Sequence, residues 1–545
     1  MQTAPVTPRS DQRTNAGATH RRVASAAAVI AFGNVLSRGL GLVRDVVIAS
    51  TFGATAGTDA FVLARTLPTI LYDLLVGTVS TAAFVPVFVQ HARDERQLWR
   101  LVGAIFSLAG LAFVTLAVVL GLFAEPLVGV IGSGFSTADQ RELAANLMRI
   151  ALVSVVFQGL AGVLTSALYA QNRFALPALA TAAYNVGIIV GIVLLARPLG
   201  VPALAIGLVI GALAQFLLQA SGLRQFLRAY RPRIDLADPG VRRILSLAGT
   251  VAAGLVVTAA GQFIDRNLAS RLPEGSLTSM EYATRVIQFP LGIVGLAVSF
   301  AILPTLSRFT DQEDGSLDDY REALVFGLKL VLLLMLPALA LLAALNRPLV
   351  EVLFERGAFG PQDTARTAAI FLAYSPMLPL TAVDFLLINA FYARQNARTP
   401  VLVGVVGVVI YLAVALMLIG PLGAVGLALA NAIQNSSHAL ILLFLLRRSL
   451  PGLRLGSALL PFLVRVVPAA SLVGVVLFLA WPVAWPVLAG LAFGAPAAAG
   501  VGGVLGLVIA GLAAALLYVG VLLALGVAEI HAVVGLVRAR LSGQA

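Results

Sequence analysis

The chain has 545 residues, of which 59% are hydrophobic and only 11% charged, and its mean hydropathy is +0.96. So little charge excludes a soluble globular protein. Apolar runs of ~20 residues or more, without strand-like alternation, define an all-α polytopic membrane protein rather than a barrel. The net charge of +12 is almost wholly arginine, there is no cysteine, and the sole lysine, Lys329, follows no glycine-rich turn; thiolate metal sites and P-loop ATP hydrolysis are excluded.

Residues 1–22 are polar, carry Arg9, Arg13, Arg21 and Arg22, and are expected to form a disordered cytoplasmic tail. The first apolar span runs from about Val23 to Ser50. It holds Arg38, Arg44 and Asp45, unlike the short uncharged core of a signal peptide, and reads as a retained helix. About 14 spans follow from a ~20-residue window, centred roughly on residues 36, 75, 110, 156, 186, 214, 256, 293, 333, 379, 409, 434, 470 and 515.

Connections carrying Arg93, Arg96 and Arg100, then Arg173, then Arg224 to Arg243, then Arg308 and Arg321, then Arg394 and Arg398, then Arg447, Arg448 and Arg454 alternate with connections nearly free of cations. Cation-rich loops stay inside, so both termini are expected in the cytoplasm and the arginine excess reads as a topology signal, not as a nucleic-acid surface. The external segments Ala124–Arg141 and Asn346–Asp363 are too short for a catalytic domain. The four histidines lie far apart in sequence and suggest no metal cluster, and no enzyme chemistry is expected. The stretch Ile530–Leu541 suits either an interfacial helix or a continuation of the last span.

The chain repeats itself. Asp45, Ala49, Ser50 and Arg65 recur as Asp265, Ala269, Ser270 and Arg285 (265 − 45 = 220). Pro198-Leu199-Gly200 recurs as Pro421-Leu422-Gly423 (421 − 198 = 223), and Tyr169-Ala170 through Pro177 as Tyr392-Ala393 through Pro400. Six spans between equivalent points keep the orientation, so two parallel six-helix repeats are expected, with the substrate site between them. The expected division is an N-lobe over 23–232, a C-lobe over 233–450, and two added helices with a tail over 451–545.

Ionisable residues within the spans are mainly cationic. Arg38 lies about 15 residues into the first span, ~22 Å along it; an arginine at that depth costs ~2.5–3.5 kcal/mol on insertion scales and needs water, a counter-charge or a ligand. Ser37 and Arg44 share one helix face, as do Arg38 and Asp45. Asp59 opens the second span as an N-cap or a cavity acid. Arg65 and Arg285 are repeat-equivalent, and Asp265 and Arg266 are expected to pair with Arg285 and Glu281. Asp384, Asn389, Asn431 and His438 read as helix–helix hydrogen-bonding residues. A cationic cavity suits an anion, because arginine grips phosphate bidentately.

The pattern Ser37-Arg38-x-Leu40-Gly41-x-x-Arg44-Asp45, followed by Phe52-Gly53-Ala54, Thr58-Asp59-Ala60-Phe61 and Ala83-Phe84-Val85-Pro86-Val87, resembles the first two helices of the MurJ (MviN) lipid II flippases. Tyr282-Ala283-x-Arg285 with Phe289-Pro290, Leu303-Pro304, Glu355-Arg356-Gly357-Ala358-Phe359 and Ala390-Phe391-Tyr392-Ala393 continue the resemblance over about residues 24 to 447. The resemblance implies the exporter superfamily that also holds the multidrug and oligosaccharidyl-lipid carriers, a bacterial inner-membrane location, and movement of lipid-linked peptidoglycan precursor from the inner to the outer leaflet. It implies substrate binding by Ser37, Arg38, Arg44, Asp45, Asp59, Arg65 and Arg285, and a groove for the polyprenyl tail at the last two helices.

Two features depart from the family pattern: Tyr72-Asp73 stands where an arginine pair is usual, with Val76-Gly77 after it, and Val401–Ile419 lacks the Asn and Asp of a sodium site. No cofactor is expected, only membrane potential or an ion gradient, and the chain is expected to act as a monomer. A flippase for another polyprenyl-linked oligosaccharide and a cation-coupled drug antiporter remain as alternatives.

Overall fold

A computed structural model of the chain describes residues 10–292, 317–490 and 501–530. Among these the regular structure is entirely helical. Eight helices are long and apolar enough to cross a bilayer, or nine if Pro361–Tyr374 and Met377–Ala393, bent by 45°, form one span. The helix Arg398–Ser449 has 52 residues and breaks at Gly423, where φ is 56° and ψ −128°. At 1.5 Å per residue such a run reaches ~78 Å, more than twice the ~30 Å of hydrocarbon, so it holds two of the expected spans. The span centred near residue 293, with Leu303-Pro304 and Arg308, lies largely outside the described residues, as do residues 1–9 and the stretch after Ile530.

The first helix, α1, covers Ser10–Phe52, so residues 10–22 of the expected disordered tail are helical instead. Pro8 is the last proline before it, and the Arg, Gln and Ala that follow are good helix formers that extend a helix already nucleated in the apolar span. Then come α2 (Ala56–Ala64) and α3 (Thr66–Tyr72), a π-helix over Asp73–Phe84, and α4 (Val85–His91). Next are α5 (Glu95–Leu122), α6 (Ala124–Ile131), α7 (Ala138–Ala170), α8 (Ala175–Leu199), α9 (Pro202–Gly222), α10 (Arg224–Ala229) and α11 (Pro239–Ala269). The order closes with α12 (Ser276–Pro290), α13 (Leu317–Ala344), α14 (Asn346–Phe354), α15 (Pro361–Tyr374), α16 (Met377–Ala393), α17 (Arg398–Ser449), α18 (Leu455–Gly490) and α19 (Val501–Ala524). Side-chain oxygens start several of them: Asp94 accepts from the N–H groups of Arg96 and Gln97, and Thr137 from that of Gln140.

Packing divides the chain into two compact units, one of residues Met1–Ile48, Leu63–Val130 and Thr137–Ala259, the other of Ala49–Val62, Ile131–Ser136 and Ala260–Ala545. This differs from the expected sequence division at 232/233. Short segments of the first repeat join the second unit because their polar groups bond there: Ala358 N–H donates to Ser50 O at 2.8 Å, and Gly134 N–H to Ser270 Oγ at 3.0 Å.

In the first unit, α8 and α9 approach through Gly187, Gly191, Gly207 and Gly211. A Cβ on Gly187 would lie 2.6 Å from the Gly211 Cα, and one on Gly191 2.8 Å from the Gly207 Cα. Small residues at this spacing let helices pack closely where no hydrophobic driving force exists. The core of this unit joins α5 and α7 through Leu98, Leu101, Ile105, Leu164 and Leu168, with Phe88 and Phe226.

In the second unit, α18 and α19 pack on α13 through Leu333, Val466, Val473, Tyr518 and Leu522. Lys329 on α13 donates to Glu529 Oε1 at 2.7 Å, and its Nζ lies 5.8 Å from the Phe462 ring centre. The Tyr518 hydroxyl donates to Leu333 O at 2.9 Å.

The repeat is written into the backbone. The two non-glycine residues with positive φ among the described residues are Asn172 (58°) and Gln395 (55°), and 395 − 172 = 223. Both close a helix with the same bond pattern: Arg173 N–H donates to Leu168 O, and Asn396 N–H to Phe391 O. Gly200 and Gly423 share the same offset and the same left-handed φ, 63° and 56°.

Candidate functional site

In the first unit, α1 carries Ser37, Arg38, Arg44 and Asp45. Asp45 is buried and the Arg44 side chain is 12% exposed. Successive residues on a helix point about 100° apart, yet the long Arg44 side chain reaches back. Its Nε and Nη2 both donate to Asp45 Oδ1, at 3.0 and 2.8 Å, and its Nη1 donates to Asn185 Oδ1 on α8 at 3.0 Å. The Asn185 amide in turn donates to Ser37 O at 3.2 Å and Thr181 O at 3.0 Å. The face shared by Ser37 and Arg44 is therefore pinned to α8 through one asparagine. A Cβ on Gly41 would lie 3.9 Å from that amide, an ordinary contact, so the approach of the two helices does not depend on this glycine. Arg38, one position from Ser37, is half-buried.

Arg65 stands half-buried at the break between α2 and α3, where its carbonyl accepts from Thr69 N–H at 2.9 Å and from Thr69 Oγ1 at 2.8 Å. Tyr72, at the position of an expected guanidinium, is hydrogen-bonded to Gln215 of α9. The departure from the family pattern thus replaces a cation by a neutral helix–helix bond.

In the second unit, Asp59 is 3% exposed. It does not cap its own helix. Its Oδ2 accepts from Gly275 N–H at 2.7 Å, and its Oδ1 accepts from Thr278 N–H at 2.8 Å and Thr278 Oγ1 at 2.7 Å. Gly275 and Thr278 are the cap and third positions of α12, whose own cap residue offers no side chain. Asp59 therefore supplies an N-cap from a remote part of the sequence, placing a carboxylate where the helix presents its unpaired N–H groups. Gly275, with φ 80°, is needed there: a Cβ would fall 2.3 Å from Ala54 O. Gly357 of the Glu355-Arg356-Gly357-Ala358-Phe359 stretch, φ 59°, meets Ser50 O in the same way at 2.1 Å.

Arg285 pairs with Glu281 at 3.0 Å, and the same carboxylate holds Arg266 at 2.9 Å. Asp265 lies 4.0 Å from Arg266 and accepts the Tyr411 hydroxyl at 2.5 Å. Of the expected pairings, that of Arg266 with Glu281 is present, while Asp265 meets Arg266 and Tyr411. Two acids and two arginines make this cluster electrically balanced, and on α1 Arg44 is paired with Asp45 at 2.8 Å. Outside the membrane spans, burial raises the Glu351 carboxyl, with Glu355 adding to the rise and Arg347 opposing it.

A separate cavity of about 700 Å³ in the first unit is lined by Arg100, Arg173, Arg224, Arg231 and Arg233, with Trp99 stacked on Phe226 at 4.8 Å. These are the arginines of connections read as cytoplasmic, and Arg173 already donates to Gly222 O at 2.8 Å. Among the described residues no group of three or more His, Asp or Glu side chains is arranged to hold a metal ion.

Sequence reading found α1 and its charges but missed Asn185, Gly275 and Thr278. Asn185 carried a legible signal, a lone amide in an apolar span. The cap donors carried none, because the backbone N–H groups that Asp59 binds are common to every residue.

Long apolar helices, a repeated helical plan and paired ions inside the spans define a polytopic membrane protein of the transporter class. A sequence profile described as "Lipid II flippase MurJ" matches residues 48–489. The "Probable lipid II flippase MurJ" of Bdellovibrio bacteriovorus is 32% identical over 466 residues, covering 83% of this chain and 87% of that protein. The Haemophilus influenzae protein of the same description is 31% identical over 425 residues, covering 75% and 83%. Among solved structures, "Lipid II flippase MurJ, inward closed conformation" superposes with a TM-score of 0.72 at 23% identity, covering 91% of this chain and 98% of that one. An inward-facing multidrug resistance MATE family transporter of the MOP superfamily gives 0.65 at 15% identity, covering 76% and 95%. The chain belongs to the lipid II flippase MurJ family, whose members are transporters and not enzymes.

Proposed function

We propose that this chain flips a polyprenyl-pyrophosphate-linked peptidoglycan precursor, lipid II, from the cytoplasmic to the outer leaflet of the bacterial inner membrane. The working architecture is fourteen helices: two parallel six-helix lobes, over 23–232 and 233–450, and two C-terminal helices, with both termini cytoplasmic and the chain acting alone. Arg38 and Arg44 bind the pyrophosphate from the first lobe, with Ser37 and Arg65 beside them, and Arg285 binds it from the second. Asp45 and Asp59 position the arginine and the helix start. The observation that carries this reading is the placing of two arginines, Arg38 and Arg44, within the apolar span of α1, in a chain whose family profile covers residues 48–489.

A pyrophosphate neutralises the arginines it meets and offsets their desolvation, which favours closure around the headgroup. Release outside restores the charge. A membrane potential, negative inside, then draws it inward at ~2.3 kcal/mol per elementary charge per 100 mV, so the return needs no ATP. The replacement of an expected arginine by Tyr72 favours one second reading, a carrier of a related polyprenyl-linked oligosaccharide with a less acidic headgroup.

The decisive test is complementation of a strain depleted of its lipid II flippase, with leaflet accessibility of lipid II as the readout. The wild-type chain is expected to restore outer-leaflet lipid II, and Arg38→Ala, inserted at normal abundance, to lose at least tenfold in rate. Full activity of Arg38→Ala removes the pyrophosphate reading. Failure of the wild-type chain alone favours the other oligosaccharide.

A further inference from the structure

Asp384 on α16 and His438 on α17 lie inside the second unit and are not among the residues assigned to the substrate. Their side chains are 13% and 14% exposed. His438 Nδ1 is 2.7 Å from Asp384 Oδ1, and His438 Nε2 is 3.2 Å from the carbonyl oxygen of Pro400, in the first turn of α17. A Cβ on Gly404 would lie 3.9 Å from Nε2, so the ring edge meets no bulk there.

Both ring nitrogens thus face oxygen. The Pro400 carbonyl only accepts, so Nε2 must carry a proton and donate. A neutral imidazole has one N–H, and spending it on Pro400 leaves a bare Nδ1 lone pair at hydrogen-bond distance from a carboxyl oxygen. A second proton must lie between them. It sits on Nδ1, giving imidazolium beside carboxylate, or on Oδ1, giving neutral imidazole beside carboxylic acid. In either arrangement the pair holds one proton more than a carboxylate and a neutral imidazole together, and its net charge is zero. Without that proton the pair carries a negative charge and sets two lone pairs against each other in a low-dielectric site.

Among the described residues, His438 is the one charged group acting on Asp384, and Asp384 the one acting on His438, whose ring also faces the Pro400 carbonyl. The titratable groups of the neighbouring helices are engaged elsewhere. On α13, Lys329 bonds Glu529 and Tyr320 bonds Ala390 O; on α17, Tyr411 bonds Asp265; on α15, Tyr374 bonds Thr284. Among the described residues, no neighbouring cation is recorded acting on the pair in place of the proton.

We propose that Asp384 and His438 form a proton-binding site within the membrane, holding one exchangeable proton shared between a carboxyl and an imidazole. Its two members and its backbone acceptor come from α16 and from the two segments of α17 on either side of the Gly423 break. Any movement that parts these segments separates the proton from one of its holders. The ligand is the proton itself, and the site is a place where a proton gradient acts on this chain.

The test uses the full chain in lipid bilayers, with ring-¹⁵N-labelled histidine and infrared difference spectra at neutral pH. The chain has four histidines, so subtraction of the His438→Gln spectrum isolates the ring. The expected result is either a doubly protonated His438 ring with an ionised carboxylate, or a singly protonated ring with a carboxylic-acid band that disappears in Asp384→Asn. Asp384→Asn, nearly isosteric, is expected to leave a ring with one N–H. A neutral His438 beside an ionised Asp384 in the wild type overturns the proposal, as does an imidazolium that persists in Asp384→Asn. The readout is proton content, so it is decided independently of which lipid is carried.

Discussion

Asp59 shows how one carboxylate can hold a helix start that its own sequence leaves uncapped. Three donors converge on it, two of them backbone N–H groups. Truncating it strands those groups in a buried place, and an unsatisfied buried donor costs about 1–3 kcal/mol. Asp59→Ala is therefore expected to destabilise the protein by about 2–4 kcal/mol, combining the lost cap with the stranded donors, measured as a lowered unfolding midpoint in detergent. Asp59→Asn is expected to recover only part of this. One oxygen still accepts from Thr278, but the amide NH₂ then faces Gly275 N–H. Recovery to wild-type stability in Asp59→Asn contradicts the two-oxygen role. The sequence made Asp59 visible as a polar residue opening an apolar helix, but its partner lies 216 residues away, and no periodicity reports a contact at that range. Arg44 teaches the same lesson differently. Seven-residue spacing correctly put Ser37 and Arg44 on one face, yet the acid that neutralises Arg44 is its immediate neighbour, reached by side-chain length rather than by helical register.

At the level of elements, helix ends proved more informative than helix middles. Asn172 and Gln395 occupy the left-handed region at equivalent helix ends. That conformation costs an L-residue about 1–2 kcal/mol, less for asparagine, whose short side chain tolerates it. Gln395→Gly is expected to stabilise the protein by up to about 1 kcal/mol, after allowing for the greater freedom of glycine in the unfolded chain, and Asn172→Gly by less. Unfolding midpoints of the two variants, measured side by side, check the order; a larger gain at Asn172 contradicts it. The repeat was legible before any coordinates because the same turn must be rebuilt in each copy, which keeps Tyr169-Ala170 and Tyr392-Ala393 alike. The exact spans were less legible. A break such as Gly423 looks like any glycine in an apolar run, and the π-helix over Asp73–Phe84 leaves no hydrophobic period that marks it.

Across the whole molecule, composition alone settled the class, because 11% charge over 545 residues leaves no soluble alternative. The packing units were not legible to the same degree. Ala49–Val62 and Ile131–Ser136 belong by sequence to the first repeat and by packing to the second unit, and the bonds responsible are backbone and cap interactions without a residue code. The ion clusters divide likewise. Sequence reading counted arginines and inferred strong positive charge. The structure balances Arg266 and Arg285 against Glu281 and Asp265, and pairs Arg44 with Asp45.

Lys329 is the only side-chain amine in the chain, and it is held by Glu529 where the two C-terminal helices rest on α13. A solvent-borne acylating reagent thus finds one internal target, and finds it shielded. Its rate of modification, read by mass spectrometry on the Lys329 peptide, becomes a clock for detachment of the C-terminal pair. Glu529→Gln is expected to quicken that clock several-fold without touching the α1 arginines, and an unchanged rate means the clasp does not hold the helices down.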